Sequence, residues 1–229
     1  MTSFDNHGDR TAWLSIKLCA ELGLDAPTSR AIAEAARTHD IGKQLVPTEL
    51  LNKPGALTRD ERAQMDRHCL LGAGLLSDRT DIGASQLSLS MDVALYHHEW
   101  WNGCGYPFGL SDTGIPLSAR IVAVADVFEA LCSVRPYKPA WPLERVLDYM
   151  RDRREVQFDP ICLDALLDFI AALSTTWQDS LWQEAAADHG SPGWHLRPLR
   201  VRQPTLQIAG EPGLRNASNM SLQSCGGAR

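Results

Sequence analysis

Thr38-His39-Asp40-Ile41-Gly42-Lys43 is the stretch on which the reading of this chain turns. A histidine beside an aspartate, then a glycine and a lysine, is compact chemistry for a divalent metal. Imidazole nitrogen and carboxylate oxygen are both good ligands for first-row metals. Asp40 has two oxygens and can bridge two ions. Lys43 lies three residues beyond Asp40, on the same face wherever the helical turn persists. There it can meet a phosphate oxygen already polarised by metals. A second reading needs no metal: a helix C-terminus, where a histidine and a lysine meet the dipole and Gly42 is the stop. Taken alone, the stretch favours that second reading, so the rest of the chain decides.

The 229 residues suit one large domain, or one domain plus an extension. A hydrophobic fraction of 44% supplies a substantial core. The net charge of −6 is not the footprint of a protein that binds a nucleic-acid polymer. An anionic substrate would need local positive charge, from metals or a few basic side chains. The cysteines, Cys19, Cys69, Cys104, Cys132, Cys162 and Cys225, form no Cys-x-x-Cys pair, which argues against a thiolate zinc site. Most lie in apolar segments and read as core thiols of a reduced, cytoplasmic protein. The N-terminus has neither the basic start nor the apolar run of a signal peptide. No apolar stretch is long enough to span a bilayer, so no membrane partner is expected.

Periodicity predicts helices throughout. The first runs over Thr11 to Leu22, with His7 and Arg10 just before it or in its first turn. Pro27 opens a second, which carries to His39-Asp40. Pro47 starts a short one ending near Asn52. Thr58-Arg59-Asp60-Glu61 is a capping box that starts a helix carrying Met65, His68, Leu71 and Leu75. Another runs from Leu87 into His97-His98. The glycines and proline of Trp100 to Leu110 mark a non-helical loop. Helices follow over Pro116 to Cys132, Pro142 to Arg153 and Pro160 to Leu173. No alternating strand pattern appears, and the fold reads as an all-α bundle. From Ser174 a further helix fits Trp177 to Ala187. Beyond Gly190 the composition turns to Gly, Pro, Ser, Asn and Arg, a weakly ordered extension. Arg197, Arg200 and Arg202 in that tail read first as solvated side chains, with phosphate or an acidic partner as the second reading.

His7, His39, His68, His97 and His98 all lie near the ends or faces of predicted helices. His68 alone would read as a satisfied core histidine. Adjacent helical residues point about 100° apart, so His97 and His98 converge on one site only near a helix end, where they lie. Asp126 sits among Val124, Ala125, Val127 and Phe128, where burial is costly unless the carboxylate is paired or bound to metal. A salt bridge to a neighbouring basic residue and a metal ion are equal readings there. Together the set offers five imidazoles and two carboxylates. That suits a pair of octahedral-leaning ions better than one tetrahedral zinc. Two ions bridged by Asp40 would sit roughly 3.5–4 Å apart, a spacing that clamps phosphoryl groups.

From about His7 to Pro160 the chain resembles the HD-GYP domain, the cyclic di-GMP phosphodiesterase branch of the HD metallohydrolases. The residues that carry the likeness begin with His7-x-x-Arg10, His39-Asp40-Ile41-Gly42-Lys43, Lys53-Pro54-Gly55-x-Leu57-Thr58 and His68-x-x-x-Gly72. They continue with His97-His98-Glu99, Gly105-Tyr106-Pro107-x-Gly109-Leu110, Ala119-Arg120-Ile121, Ala125-Asp126, Arg135-Pro136-Tyr137-Lys138 and Phe158-Asp159-Pro160. The resemblance implies an HD-domain helical bundle over residues 1–173, with an extension over 174–229. It implies two divalent ions, iron or manganese. One would be held by His7, His39, Asp40 and Asp126. The other, bridged by Asp40, would be held by His68, His97 and His98. A metal-activated water would be the nucleophile, and Lys43 would stabilise charge on the phosphate. Arg135 and Lys138 would hold the phosphates or guanines of cyclic di-GMP. Tyr106 would shape the site entrance or a partner contact, with loop packing an equal reading.

Several positions depart from the family pattern. Ser3 stands where some members carry a glutamate for a third metal, so two metals are expected. Trp100 and Asn102 replace an arginine and an aspartate, and Glu129 replaces an aspartate while keeping the charge. Glu155 stands where glycine is common. His7, with six residues before it, falls on a segment prone to fraying. No sensory domain precedes it, so input is expected from a partner such as a diguanylate cyclase or other signalling protein, from the tail, or from nothing in this chain. Three activities remain open: cyclic di-GMP hydrolysis to pGpG and on to GMP; a weak or inactive sensor or interaction module docking through the loop; and hydrolysis of another nucleotide.

Overall fold

The structure is a computed structural model that describes residues 4–134 and 139–173. Ser3, Arg135, Lys138 and the whole 174–229 extension lie outside the described residues. Within them the architecture is helical, with isolated bridges at Asn102–Ser111 and Arg154–Phe158 and no strand. No described helix is long and apolar enough to cross a membrane.

Helix α1 (Phe4–Glu21) starts well before Thr11, where periodicity places its beginning. Asn6, Gly8 and Asp9 are weak helix formers, so local propensity argues against the extra turns. Packing reverses that preference. Gly8 lies so close to the end of α2 (Ala26–Arg37) that a Cβ there would sit 2.8 Å from the Arg37 carbonyl oxygen. His7 therefore lies within a packed helix rather than ahead of one. Asp25 caps α2, accepting from the Thr28 N–H at 2.7 Å, and Pro27 follows in its first turn.

After Asp40 the chain tightens into a 3-10 turn, Ile41–Leu45. Such a turn brings residues three apart onto one face, which aligns Asp40 with Lys43. α3 (Thr48–Leu51) and α4 (Arg59–Asp66) follow, and the capping box at Thr58 and Glu61 forms as expected. The single helix expected from Thr58 is interrupted. Arg67 breaks it, and α5 (His68–Ser77) begins afresh at His68. α6 (Ala84–Tyr96) ends at His97, and α7 (Leu117–Cys132), α8 (Leu143–Arg151) and α9 (Pro160–Ala172) close the described fold.

The main core joins Trp13, Leu14 and Leu18 of α1, Ile32 and Ala36 of α2, Leu163 and Leu166 of α9, and much of α7. α7 is buried on nearly every side, so Asp126 and Glu129 are carried into apolar surroundings. Ile41, Leu76 and Ala94 form a smaller core beneath the 3-10 turn. There Gly42 presses on α5. A Cβ on it would lie 1.9 Å from the His68 carbonyl oxygen and 2.4 Å from the Gly72 nitrogen. Cys19, Cys69 and Cys162 are buried thiols, as expected.

Candidate metal centre

The fold gathers the predicted ligands into two groups. The ligand atoms of Asp40, His68, His97 and His98 lie within 4.8 Å of one another, and so do those of His7, His39 and Asp126. Asp40 stands between the groups. Its Oδ1 lies 3.4 Å from His68 Nε2 and 3.7 Å from His97 Nε2, while its Oδ2 lies 3.3 Å from His39 Nε2. Asp126 Oδ1 lies 3.1 Å from His7 Nε2 and 3.6 Å from His39 Nε2. Among the described residues Asp126 is thus paired with histidines, not with a lysine or arginine.

The imidazoles are held from behind. Nδ1 meets a main-chain carbonyl in three of them: Ala36 at 2.6 Å for His39, Met65 at 2.8 Å for His68 and Val93 at 2.9 Å for His97. A carbonyl only accepts, so each Nδ1 carries a hydrogen and each Nε2 faces the centre. All three carbonyls lie in the last turn of a helix, and each also accepts a main-chain N–H there. His7 is held by a carboxylate, Glu129.

The centre leaves polar atoms unanswered. His39 Nε2, His97 Nε2 and Asp40 Oδ1 are buried with no hydrogen-bond partner. Buried polar atoms without partners cost about 1–3 kcal/mol each, so several at one spot need a cause. Lone pairs converging from imidazoles and carboxylates fit divalent cations, so the residues present suit the ions that the donor set implies.

Electrostatics divides the two groups. Burial opposes ionisation of Asp40, yet Lys43 and His39 hold its pKa well below the ordinary value. Burial likewise opposes Asp126, and the neighbouring His39 and His7 outweigh it and hold its pKa well below the ordinary value. Burial lowers His68 to about 4 and pushes His98 well down, so both are neutral imidazoles ready to ligate. For His39 burial also opposes charge, but Asp40 and Asp126 win and raise it to about 10. Lys43 Nζ pairs with Asp40 Oδ2.

The glycine loop lies beside this centre. Glu99 is buried and accepts the Phe108 N–H at 2.7 Å and the Leu110 N–H at 3.1 Å. The loop is thereby pinned despite Trp100 and Asn102, and Asn102 Oδ1 itself accepts from Cys104 N at 3.0 Å. Tyr106 lies against His98, ring centroids 4.8 Å apart, with the Arg62 guanidinium 5.7 Å from its own centroid. Tyr106 thus borders the second ligand group. Sequence reasoning missed the roles of Glu99 and Glu129 and the close approach at Gly8. For Glu129 the signal was present, a charged residue one turn past Asp126 in an apolar helix.

The chain matches the HD domain family over residues 2–161. It is 45% identical over 159 residues to the cyclic di-GMP phosphodiesterase response regulator RpfG of Xanthomonas campestris, covering 69% of this chain and 41% of that protein. It is 35% identical over 199 residues to a cyclic di-GMP phosphodiesterase of Thermotoga maritima, covering 85% of this chain and 53% of the other. The chain thus spans about half the length of these relatives, or less. Among solved structures, an HDG"Y"P protein from Bdellovibrio bacteriovorus shares the fold, with a TM-score of 0.59 at 22% identity over 74% of this chain and 53% of its own.

Proposed function

Because the chain belongs to the HD domain family, we propose that it is a metal-dependent phosphodiesterase that hydrolyses cyclic di-GMP in bacterial second-messenger signalling. One observation carries the reading: Asp40 joins two groups of candidate ligands, and the Nε2 atoms of His39, His68 and His97 all face it. His7, His39 and Asp126 would hold one ion, His68, His97 and His98 a second, and Asp40 both. The imidazole and carboxylate set suits iron or manganese. Such ions, when bound, supply a water of lowered pKa and positive charge for the phosphate oxygens.

The protein's own residues do the rest. Lys43, now on Asp40, turns to the non-bridging oxygen as negative charge builds there. Arg135 and Lys138 grip the remaining phosphate or a guanine, and Tyr106 borders the opening. Water adds its hydroxide to phosphorus while the 3′-oxygen leaves with the proton. One cut gives pGpG and a second gives GMP. Residues 1–173 form the catalytic domain, working in the cytoplasm, and 174–229 an extension.

A second reading, a cyclic di-GMP sensor that docks a diguanylate cyclase or other signalling protein through the glycine loop, draws on one observation. Phe108 stands 57% exposed in that loop. The deciding experiment is metal analysis of anaerobically purified protein, with hydrolysis of cyclic di-GMP assayed on the same sample and other cyclic dinucleotides alongside. Two ions per chain with turnover of cyclic di-GMP is expected. Tight binding without turnover favours the sensor, and turnover of other nucleotides alone overturns the substrate.

A further inference from the structure

His39, His68 and His97 are steadied by main-chain carbonyls, but His7 is steadied by a side chain. That side chain, Glu129, is completely buried on α7, one turn beyond Asp126. Its two oxygens are divided. Oε1 accepts from Arg10 and from Ser133 Oγ, the latter at 2.6 Å, and Oε2 meets His7 Nδ1. The two carboxylates of α7 thus grip opposite nitrogens of one ring, since Asp126 Oδ1 lies 3.1 Å from His7 Nε2.

We infer that Glu129 is the positioning residue of the first ligand group, fixing the tautomer of His7 so that Nε2 is the atom offered to the ion. The inference rests on the proposed metal centre. An ionised carboxylate has no hydrogen to give, so a ring nitrogen facing it must carry one. The hydrogen therefore stays on Nδ1, and Nε2, beside Asp126 Oδ1, is the nitrogen left to face the ion. Arg10 and Ser133 keep Oε1 occupied, so the carboxylate cannot swing round to offer it instead. Arg10 also balances the charge of Glu129. The group that orients His7 therefore takes no positive field away from the phosphate site. For His39, His68 and His97 a main-chain carbonyl meets the ring directly. His7 lies inside α1, where the main-chain carbonyls are engaged in the helix, so its support comes from another helix.

The competing explanation is that Glu129 only fastens α1 to α7 through Arg10. Glu129→Gln separates the two. The amide oxygen stays with its two donors, and the NH2 group faces His7 Nδ1. His7 must then accept at Nδ1 and carry its hydrogen on Nε2, a form that cannot ligate. Mn2+ titration of the full, metal-stripped chain, with bound ion counted by electron paramagnetic resonance, reads this without any turnover. The wild type should bind two equivalents and Glu129→Gln one. Glu129→Asp, which keeps the carboxylate, should recover the second equivalent with affinity weakened roughly 10- to 100-fold. Arg10→Gln, which breaks the fastening but leaves the carboxylate, should keep two.

Two equivalents at wild-type affinity in Glu129→Gln overturn the inference. So does loss of an equivalent in Arg10→Gln that matches Glu129→Gln. If Glu129→Gln does not fold, Glu129→Asp decides: weakening confined to one of two equivalents supports the inference, and unchanged affinity at both overturns it. A wild type that binds no Mn2+ sinks the proposed metal centre instead, and is told apart by the wild-type titration alone.

Discussion

Asp40 Oδ1 lies 3.4 Å from His68 Nε2 across a seam where two backbones touch. The seam closes this far because Gly42 has no side chain to hold it open. Ligand geometry at the centre is thus set by a residue that bears no ligand.

Gly42→Ala should therefore be severe. Its Cβ would meet main-chain atoms of His68 and Gly72, which have no rotamer through which to yield. A cost of about 3 kcal/mol is expected, a fall in Tm of roughly 6–12 °C, with loss of metal from the Asp40–His68 group. Gly74→Ala, inside α5 with nothing near its Cβ, should keep Tm or raise it by about 2–4 °C. Thermal unfolding of the two variants checks the contrast.

Asp40 and Asp126 should differ in what their loss removes. Asp126 serves one ligand group and Asp40 touches both. Asp126→Asn should retain about one ion per chain and Asp40→Asn close to none. Elemental analysis after dialysis decides, and equal losses would contradict the shared role of Asp40.

Glu99→Ala should release the glycine loop. It strands two N–H groups, of Phe108 and Leu110, that now reach a buried carboxylate. The expected cost is about 2–3 kcal/mol. Hydrogen exchange should accelerate over residues 103–110, with metal content kept. Uniform acceleration along the chain would mean the loop is not the element that Glu99 holds.

Alkaline pH should weaken the fold through Cys19. Burial raises its thiol from an ordinary value of 9.0 to about 11, against a smaller lowering by Ser29. A raised pKa means the folded state keeps a proton that the unfolded state gives up. The stabilisation is complete below pH 9 and drains away as pH climbs to about 11. Urea unfolding from pH 8 to 11 should show a steeper decline for the wild type than for Cys19→Ala.

The chemistry of the centre was legible because it is written in residue types that need a reason to be where they are. Asp126 inside an apolar helix and His97-His98 at a helix end could be read with no partner in view. Both belong to the ligand groups. What escaped was whatever depends on a neighbour distant in sequence. α1 begins at Phe4 because Gly8 admits the end of α2, and local propensity carries no trace of that contact. Arg67 interrupts the helix after the capping box without a proline or glycine to announce it. Glu129 could be noticed as charged, yet its bond to His7 joins positions far apart on the chain.

The first ligand group takes His7 from the opening helix and Asp126 from α7. During synthesis the amino-terminal histidine must wait until α7 has left the ribosome before its site exists. An ion captured earlier would find only part of its cage. Completion of the first ligand group therefore waits for α7, whereas Asp40, His68, His97 and His98 all precede that helix in the chain.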